Sequence, residues 1–450
     1  MPDPQNSSLW RPPLRWLTIG LTLTVVATAF EALAVATVLP VTSAELGGLA
    51  WYGWTFSAFM LANLVGISFG GDAADTHGPA APFVWGVALF SGGLVISGLA
   101  PSMPVIVAGR CAQGFGAGLL SSVAYASIAR VYAVELQPRM LATLSSAWVI
   151  PGMIGPGVAS AVAHYASWRW VFLGLAPLPP LAACLVVPAL RAQSAPPTRP
   201  KMSSHSDALQ LALGSGAMLY GLSQQHGLLT LLLVPVGLAL GVRGFHRLLP
   251  EGTLRARQGL PASLLCMLLL TAAFFGTEAF VPLALKEIRG QPVVLSGFAL
   301  TTAAIFWTAG AWLPLRLAAR MRRPQIVRLG LAILMLGLAL TLAVSLLAIP
   351  AWLIVAGWGV TGLGMGLAFT TLSAAILEAS PPGEEGATSA SLQLTQVLGA
   401  ALATGVGGAV VAAPFAGEPP RVGIGVVDLA MMSCVLVALA IAARVADAKR

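Results

Sequence analysis

Charge is what this sequence lacks. Only 9% of its 450 residues are Asp, Glu, Lys or Arg, where a soluble domain carries roughly a quarter. So little charge cannot cover the surface of a water-soluble globule, and the surface must face lipid instead. Cysteine is scarce as well. Cys111, Cys184, Cys266 and Cys434 are dispersed through apolar segments, which excludes a disulfide framework and a thiolate metal site. The five histidines (His77, His164, His205, His226, His246) fall in or near loops, read as solvated, without a metal-ligand spacing. No metal and no cofactor is expected. The apolar runs do not alternate in polarity, which excludes a membrane β-barrel. A cleavable signal is not expected either: residues 16–40 offer no small-residue cleavage site, run longer than a signal core and carry Glu31.

What is there is apolar length. Hydrophobic residues make up 57% of the chain and mean hydropathy is +0.85. Residues 46–71, 140–167, 170–190 and 329–377 hold no charge. A spanning helix needs about 20 apolar residues, and a helix keeps its backbone hydrogen bonds internal, as lipid demands. The pattern predicts an all-α integral membrane protein of about fourteen transmembrane helices, at 15–40, 51–72, 80–100, 104–130, 140–165, 168–190, 207–224, 227–245, 260–285, 293–316, 325–348, 351–377, 386–413 and 424–444. With the N-terminus inside, 19 basic residues fall in inner loops, 4 in outer loops, and Arg110 inside a span. That asymmetry places both termini in the cytoplasm of a multi-pass cell-membrane (inner-membrane) protein. It also explains the formal charge of +8 without nucleic acid.

The chain repeats itself. Residues 107–119 (VAGRCAQGFGAGL) match 355–367 (VAGWGVTGLGMGL) at an offset of 248; Glu31 and Glu278, like Gly152 and Gly399, are offset by 247. Parallel repeats are a transporter plan. The expected division is an N-terminal six-helix half (1–190), a linker with an inserted helix pair and a basic loop (191–259), and a C-terminal six-helix half (260–450). The inserted pair is expected at the periphery, bridging the halves.

Four segments carry a family resemblance. Residues 30–40 (FEALAVATVLP) end an acidic first helix in Leu-Pro. Arg110 is followed by Gln113-Gly114. Gly155-Pro156 centres the segment PGMIGPG (151–157), and WRWVF (168–172) opens a later helix. Together these resemble the major facilitator superfamily, most closely its fourteen-helix drug:proton antiporters of the QacA/EmrB-like group. The resemblance implies the major facilitator fold, with two six-helix halves plus two inserted helices. Glu31 stands where the group usually has Asp. The loop GDAADTHGPA (71–80) keeps Asp75 and Gly78 of the family's loop motif but lacks its basic residues. With Gly152, Gly155 and Pro156, these two make up the candidate gating and antiporter motifs.

Three charges are read inside spans: Glu31, Arg110 and Glu278. An intramembrane ionisable residue is a functional candidate by default. At about 1.5 Å per residue, they lie roughly 13, 9 and 12 Å below the outer helix ends, in one layer. The resemblance puts all three around one cavity, where Arg110 is placed to pair with Glu31. Proton coupling is the functional reading, and a fixed structural pair is the alternative. Glu278 lacks a basic partner in its repeat, because Trp358 takes the place of Arg110. Gln113 is open to substrate contact or to a hydrogen bond between helices. Phe275, Trp307 and Trp358 form either an aromatic wall for a lipophilic cation or ordinary packing.

These features point to a proton-coupled antiporter exporting small, amphipathic, cationic drugs or metabolites by alternating access. It would be driven by the proton gradient and act as a monomer in the bilayer. The alternative within the same fold is a lipid or hydrophobic-metabolite exporter. An enzyme is not expected, since no span interior holds a His or paired aspartates.

Overall fold

The computed structural model describes residues 9–133, 136–192, 202–224, 227–318, 320–347, 349–381, 385–413 and 420–447, and its regular elements are helices. They are α1 (Pro12–Leu46), α2 (Tyr52–His77), α3 (Ala80–Gly98), α4 (Met103–Val131), α5 (Gln137–Ser146), α6 (Val149–Tyr165), α7 (Arg169–Leu175), α8 (Leu178–Arg191), α9 (Met202–Gln224), α10 (Gly227–Leu248), α11 (Leu260–Glu278), α12 (Val281–Leu283), α13 (Val293–Leu317), α14 (Arg323–Leu346), α15 (Leu353–Glu378), α16 (Glu385–Val411) and α17 (Arg421–Ile441). The one β-type contact among the described residues is an isolated parallel bridge between Gly259 and Val445.

Local chemistry sets the helix ends. Proline opens α4, α11 and α14, where its missing N–H is no loss. Gly78 ends α2 at φ +85°, a conformation that disfavours any residue with a Cβ. Pro282 breaks the helix that would otherwise continue from α11. It has no N–H to give the carbonyl four residues back, and that carbonyl belongs to Glu278.

Among the described residues, twelve helical segments are long and apolar enough to cross a membrane. The fourteen predicted spans include two that do not reach that standard. Residues 140–165 are not one helix: the chain turns at Ala147 and Trp148, dividing it into α5 and α6. The other is 207–224, within α9, whose first turns carry Ser203, Ser204, His205, Ser206 and Asp207.

Small residues set the packing. A Cβ built on Gly114 of α4 would lie 2.1 Å from the Phe59 carbonyl oxygen of α2; one on Gly362 of α15 would lie 2.2 Å from that of Ala303 on α13. Gly118 closes on Asn63 O and Ile67 N as Gly366 closes on Trp307 O and Ala311 N. On the opposite face, Gly116 meets Gly86 O and Phe90 N, and Gly364 meets Gly330 O and Leu334 N. Such contacts are how helices approach without a hydrophobic drive between them. The offsets are constant, 248 for α4 against α15 and 244 for their partners, so the sequence repeat is also a repeat of backbone packing.

Helix α9 packs against both α2 and α16, and α10 lies against α9. Leu228, Leu229, Leu231, Leu232, Val236 and Leu238 of α10 remain exposed. The pair thus sits at the edge of the bundle, in touch with elements of both repeats.

Candidate functional site

Glu31 and Arg110 form a buried ion pair between α1 and α4. Glu31 is 0% exposed and Arg110 3%. Two of the three guanidinium nitrogens are engaged: Nε donates to the Thr55 carbonyl oxygen at 3.0 Å, and Nη1 donates to Glu31 Oε1 and to Gln113 Oε1. Its plane rests on the Phe59 ring, 4.2 Å from the centroid. Gln113 Nε2 in turn donates to Ser97 Oγ at 3.0 Å. A polar chain thus runs from α1 through α4 to α3, with α2 supplying a carbonyl and a ring. One group is left out. Glu31 Oε2 is buried without a hydrogen-bond partner, an expensive state for a carboxylate oxygen.

Glu278 is placed differently. It is the last residue of α11, at the break made by Pro282, and has no ion pair among the described residues. The next carbonyl, Ala279 O, accepts from Tyr52 Oη of α2 at 2.8 Å. Beyond the break, Lys286 Nζ donates to Pro40 O of α1 at 2.8 Å. Where helix order fails, Tyr52 of α2 takes up a carbonyl of the break, and Lys286 beyond it reaches across to the backbone of α1.

One turn back from Glu278 lies an aromatic cluster. Phe274 stacks on Trp358 (5.2 Å, 25°) and meets Trp307 edge-on at 5.1 Å. Phe275 lies 6.3 Å from Trp307, and Phe369 lies 5.4 Å from it. The structure therefore brings Phe275, Trp307 and Trp358 together, with Phe274 and Phe369 as further members that the sequence did not single out. Phe275 and Trp307 are half-buried. Trp358 lies behind Phe274, fully buried, and its Nε1 has no partner.

Two readings of the sequence need correction. A further buried acid, beyond the three charges read inside spans, is Asp428 on α17, 2% exposed. It lies beside Thr277, and its Oδ2 is buried without a hydrogen-bond partner. The signal was present: Asp428 is an isolated acid in an apolar run, as Glu31 is. The second correction concerns His205. It is not a solvated loop residue: its Nε2 is 2.6 Å from Asp72 Oδ2, its Nδ1 3.0 Å from Ser68 Oγ, and its ring stacks on Phe69 at 4.5 Å. It fastens α9 to α2.

The motif residues are dispersed around this centre. Gly155 faces the Phe30 ring, next to Glu31, with 3.6 Å to a built Cβ. Gly152 faces Ala304 of α13, and Pro156 lies inside α6 with its carbonyl against Gly297. Helix α6 is thus wedged between α1 and α13. Gly78 caps α2 at the far end; the side chain of Asp75 lies outside the described residues. Among the described residues, no group of His, Cys, Asp and Glu has the makings of a metal site. Two clefts of about 470 and 460 Å³, at residues 291–298 with 351–352 and around Arg322 and Arg328, lie away from the buried acids.

Comparison with known proteins bears on the family and the fold. The model of the Major Facilitator Superfamily matches residues 19–404. A probable multidrug-efflux transporter of Mycobacterium tuberculosis is 28% identical over 398 residues, covering 84% of each chain. A multidrug resistance protein B homolog from the same organism is 28% identical over 377 residues, 78% of this chain and 67% of its own. Among solved structures, a peptide transporter POT in complex with alafosfalin aligns with TM-score 0.69 at 16% identity, over 95% of this chain and 94% of its own. An inward-facing bacterial homolog of the human lysosomal transporter Spinster aligns with TM-score 0.68 at 14% identity, over 96% of both chains.

Proposed function

Because the chain belongs to the Major Facilitator Superfamily and is a multi-pass membrane transporter rather than an enzyme, we propose that it is a proton-coupled exporter of small, amphipathic, cationic compounds. The names of its mycobacterial relatives support drug efflux. We place fourteen spans in the cell membrane, with both termini cytoplasmic. Two six-helix halves (1–190 and 260–450) flank the α9–α10 insertion, and the monomer is the working unit. Cysteines introduced at Gln224 and Arg257 test the topology with an impermeant thiol reagent. Position 224 reacts from outside and 257 does not; labelling at 257 in intact cells removes the model.

One observation carries the coupling mechanism: a fully buried Glu31–Arg110 pair in which Glu31 Oε2 has no partner. A proton taken up there neutralises the carboxylate and cancels its attraction for Arg110. The guanidinium keeps three other supports, Thr55 O, Gln113 Oε1 and the Phe59 face, so its release from Glu31 does not leave it unsolvated. Proton loss restores the pair. The two states differ in how α4 is tied to α1, and a difference between states is what a gradient acts on. On the other side, Phe275 and Trp307 offer ring faces to a lipophilic cation, with Glu278 one turn away as counter-charge. The seams α6–α13 and α2–α16 join the two repeats and are where they move against each other.

The deciding measurement is substrate flux in proteoliposomes with and without a pH gradient, using lipophilic cations, neutral drugs and lipids. Glu31→Gln keeps size and hydrogen bonding but cannot ionise, and gradient-driven export falls to the uncoupled background. Full gradient-driven transport by a Glu31→Gln, Glu278→Gln double variant overturns this reading and favours a lipid or hydrophobic-metabolite exporter.

A further inference from the structure

We propose that the cleft between the start of α14, the start of α11 and the segment after α17 binds the phosphate headgroup of an anionic glycerophospholipid. The cleft measures about 460 Å³, and its lining includes Gln258, Arg322, Gln325, Arg328, Val445 and Asp447. Its far wall is built rather than draped. The Gly259 N–H donates to Arg444 O at 2.8 Å, Gly259 and Val445 form the parallel bridge, and the Ala446 N–H donates to Ser263 Oγ at 3.1 Å. These contacts fix the chain beyond α17 against the start of α11.

Charge selects a phosphate. Arg322 and Arg328 make no ion pair among the described residues, while their neighbour Arg323 is paired with Glu378 at 2.5 Å. The two guanidiniums outnumber the one carboxylate in the lining, Asp447. Arginine forks match phosphate oxygens two at a time. The first turn of α14 adds its N-terminal dipole to the same cleft.

Apolar exposure selects a lipid over a free phosphate. Gln325, Leu329, Ala332 and Leu336 are all exposed on α14, and their spacing of four, three and four residues puts them on one face. Leu436 and Ala440 on α17, with Ala443 in the turn that follows it, form an equivalent exposed stripe, and Ala443 lines the cleft. Helices α14 and α17 pack together. Two apolar tracks therefore start at the arginines and run away along the bundle, as acyl chains do below a headgroup. Basic pockets between spanning helices are where such headgroups settle.

The test uses the purified full-length chain in neutral detergent, with lipid retention read by native mass spectrometry. Phosphatidylglycerol is retained roughly tenfold more tightly than phosphatidylcholine, the worth of a charge-assisted contact. The Arg322→Gln, Arg328→Gln variant loses that preference while keeping the lipid-free unfolding midpoint. Arg328→Gln alone gives the same reading, in part, if the double variant does not fold. An Arg243→Gln, Arg255→Gln variant loses equal charge elsewhere and keeps the preference. The proposal fails if both cleft variants still prefer phosphatidylglycerol, if the control variant loses as much, or if glycerol 3-phosphate binds as tightly as the lipid.

Discussion

Helix α4 with its neighbours and helix α15 with its neighbours are the same backbone object carrying opposite chemistry. Gly114, Gly116 and Gly118 close on α2 and α3 as Gly362, Gly364 and Gly366 close on α13 and α14. The side chains between those contacts differ at every polar position. Arg110 corresponds to Trp358, Gln113 to Thr361, Ser97 to Thr341, Thr55 to Ala299 and Phe59 to Ala303. In the first region the polar groups bond between helices. In the second, Thr361 and Thr341 bond back to the carbonyls of Gly357 and Gly337 in their own helices, and aromatic rings fill the space. The difference teaches that small residues fix the packing, while a handful of larger ones decide whether an acid meets a cation or stands alone. Glu31 and Glu278 are equivalent in sequence and unlike in physics.

The largest effect follows from breaking the paired side. Arg110→Ala leaves Glu31 buried without a cation, which costs about 3–5 kcal/mol. Thermal unfolding in detergent reads the loss, and gradient-driven flux disappears with it. Adding Glu31→Gln to that variant recovers a large share of the stability and none of the coupling. If the double variant is no more stable than Arg110→Ala, the pair is not what holds α1 to α4.

Next in size are substitutions that test whether the two backbones are equivalent. Gly114→Leu and Gly362→Leu each drive a side chain into a carbonyl of the neighbouring helix, where overpacking costs about 1–3 kcal/mol or more. The two unfolding midpoints should fall by similar amounts despite the different chemistry around them. A large disparity would show that the polar chain, or the aromatic cluster, carries packing that the glycines were credited with.

Much of this comparison was legible in the sequence, and the reasons are physical. The repeat could be read because glycine at a close helix contact tolerates no replacement with a Cβ, so its spacing survives where other residues differ. Glu31, Arg110 and Glu278 stood out because an ionisable group in an apolar run has no ordinary use. Asp428, an isolated acid in the last span, meets the same criterion. The break at Glu278 is less legible, since Pro282 also suits a helix end; the burial of Ala279, Phe280 and Val281 and the Tyr52–Ala279 bond show that the gap lies inside the bundle. His205 reads as a loop residue because its partners Asp72 and Ser68 lie on another helix, well over a hundred residues away. The turn at Ala147 and Trp148 contains neither Gly nor Pro and left no local mark.

The smallest effects on stability come from the unpaired side, and they sharpen the comparison most. Glu278 and Asp428 have no ion pair among the described residues, so Glu278→Gln and Asp428→Asn remove no attraction. Each should change stability by less than about 1 kcal/mol, in contrast to Arg110→Ala. Their flux behaviour then separates two roles. If Glu278 attracts cations, Glu278→Gln loses strongly cationic substrates and keeps neutral ones, with the response to the pH gradient intact. If it is a second proton site, flux of every substrate becomes less sensitive to the gradient. Asp428 sits beside Thr277, the residue next to Glu278, so Asp428→Asn follows Glu278→Gln in direction, to a smaller degree, if the two acids act together. Cationic and neutral substrates affected equally by Glu278→Gln, with the gradient response unchanged, would leave the acid a structural part of the helix break and confine coupling to Glu31 and Arg110.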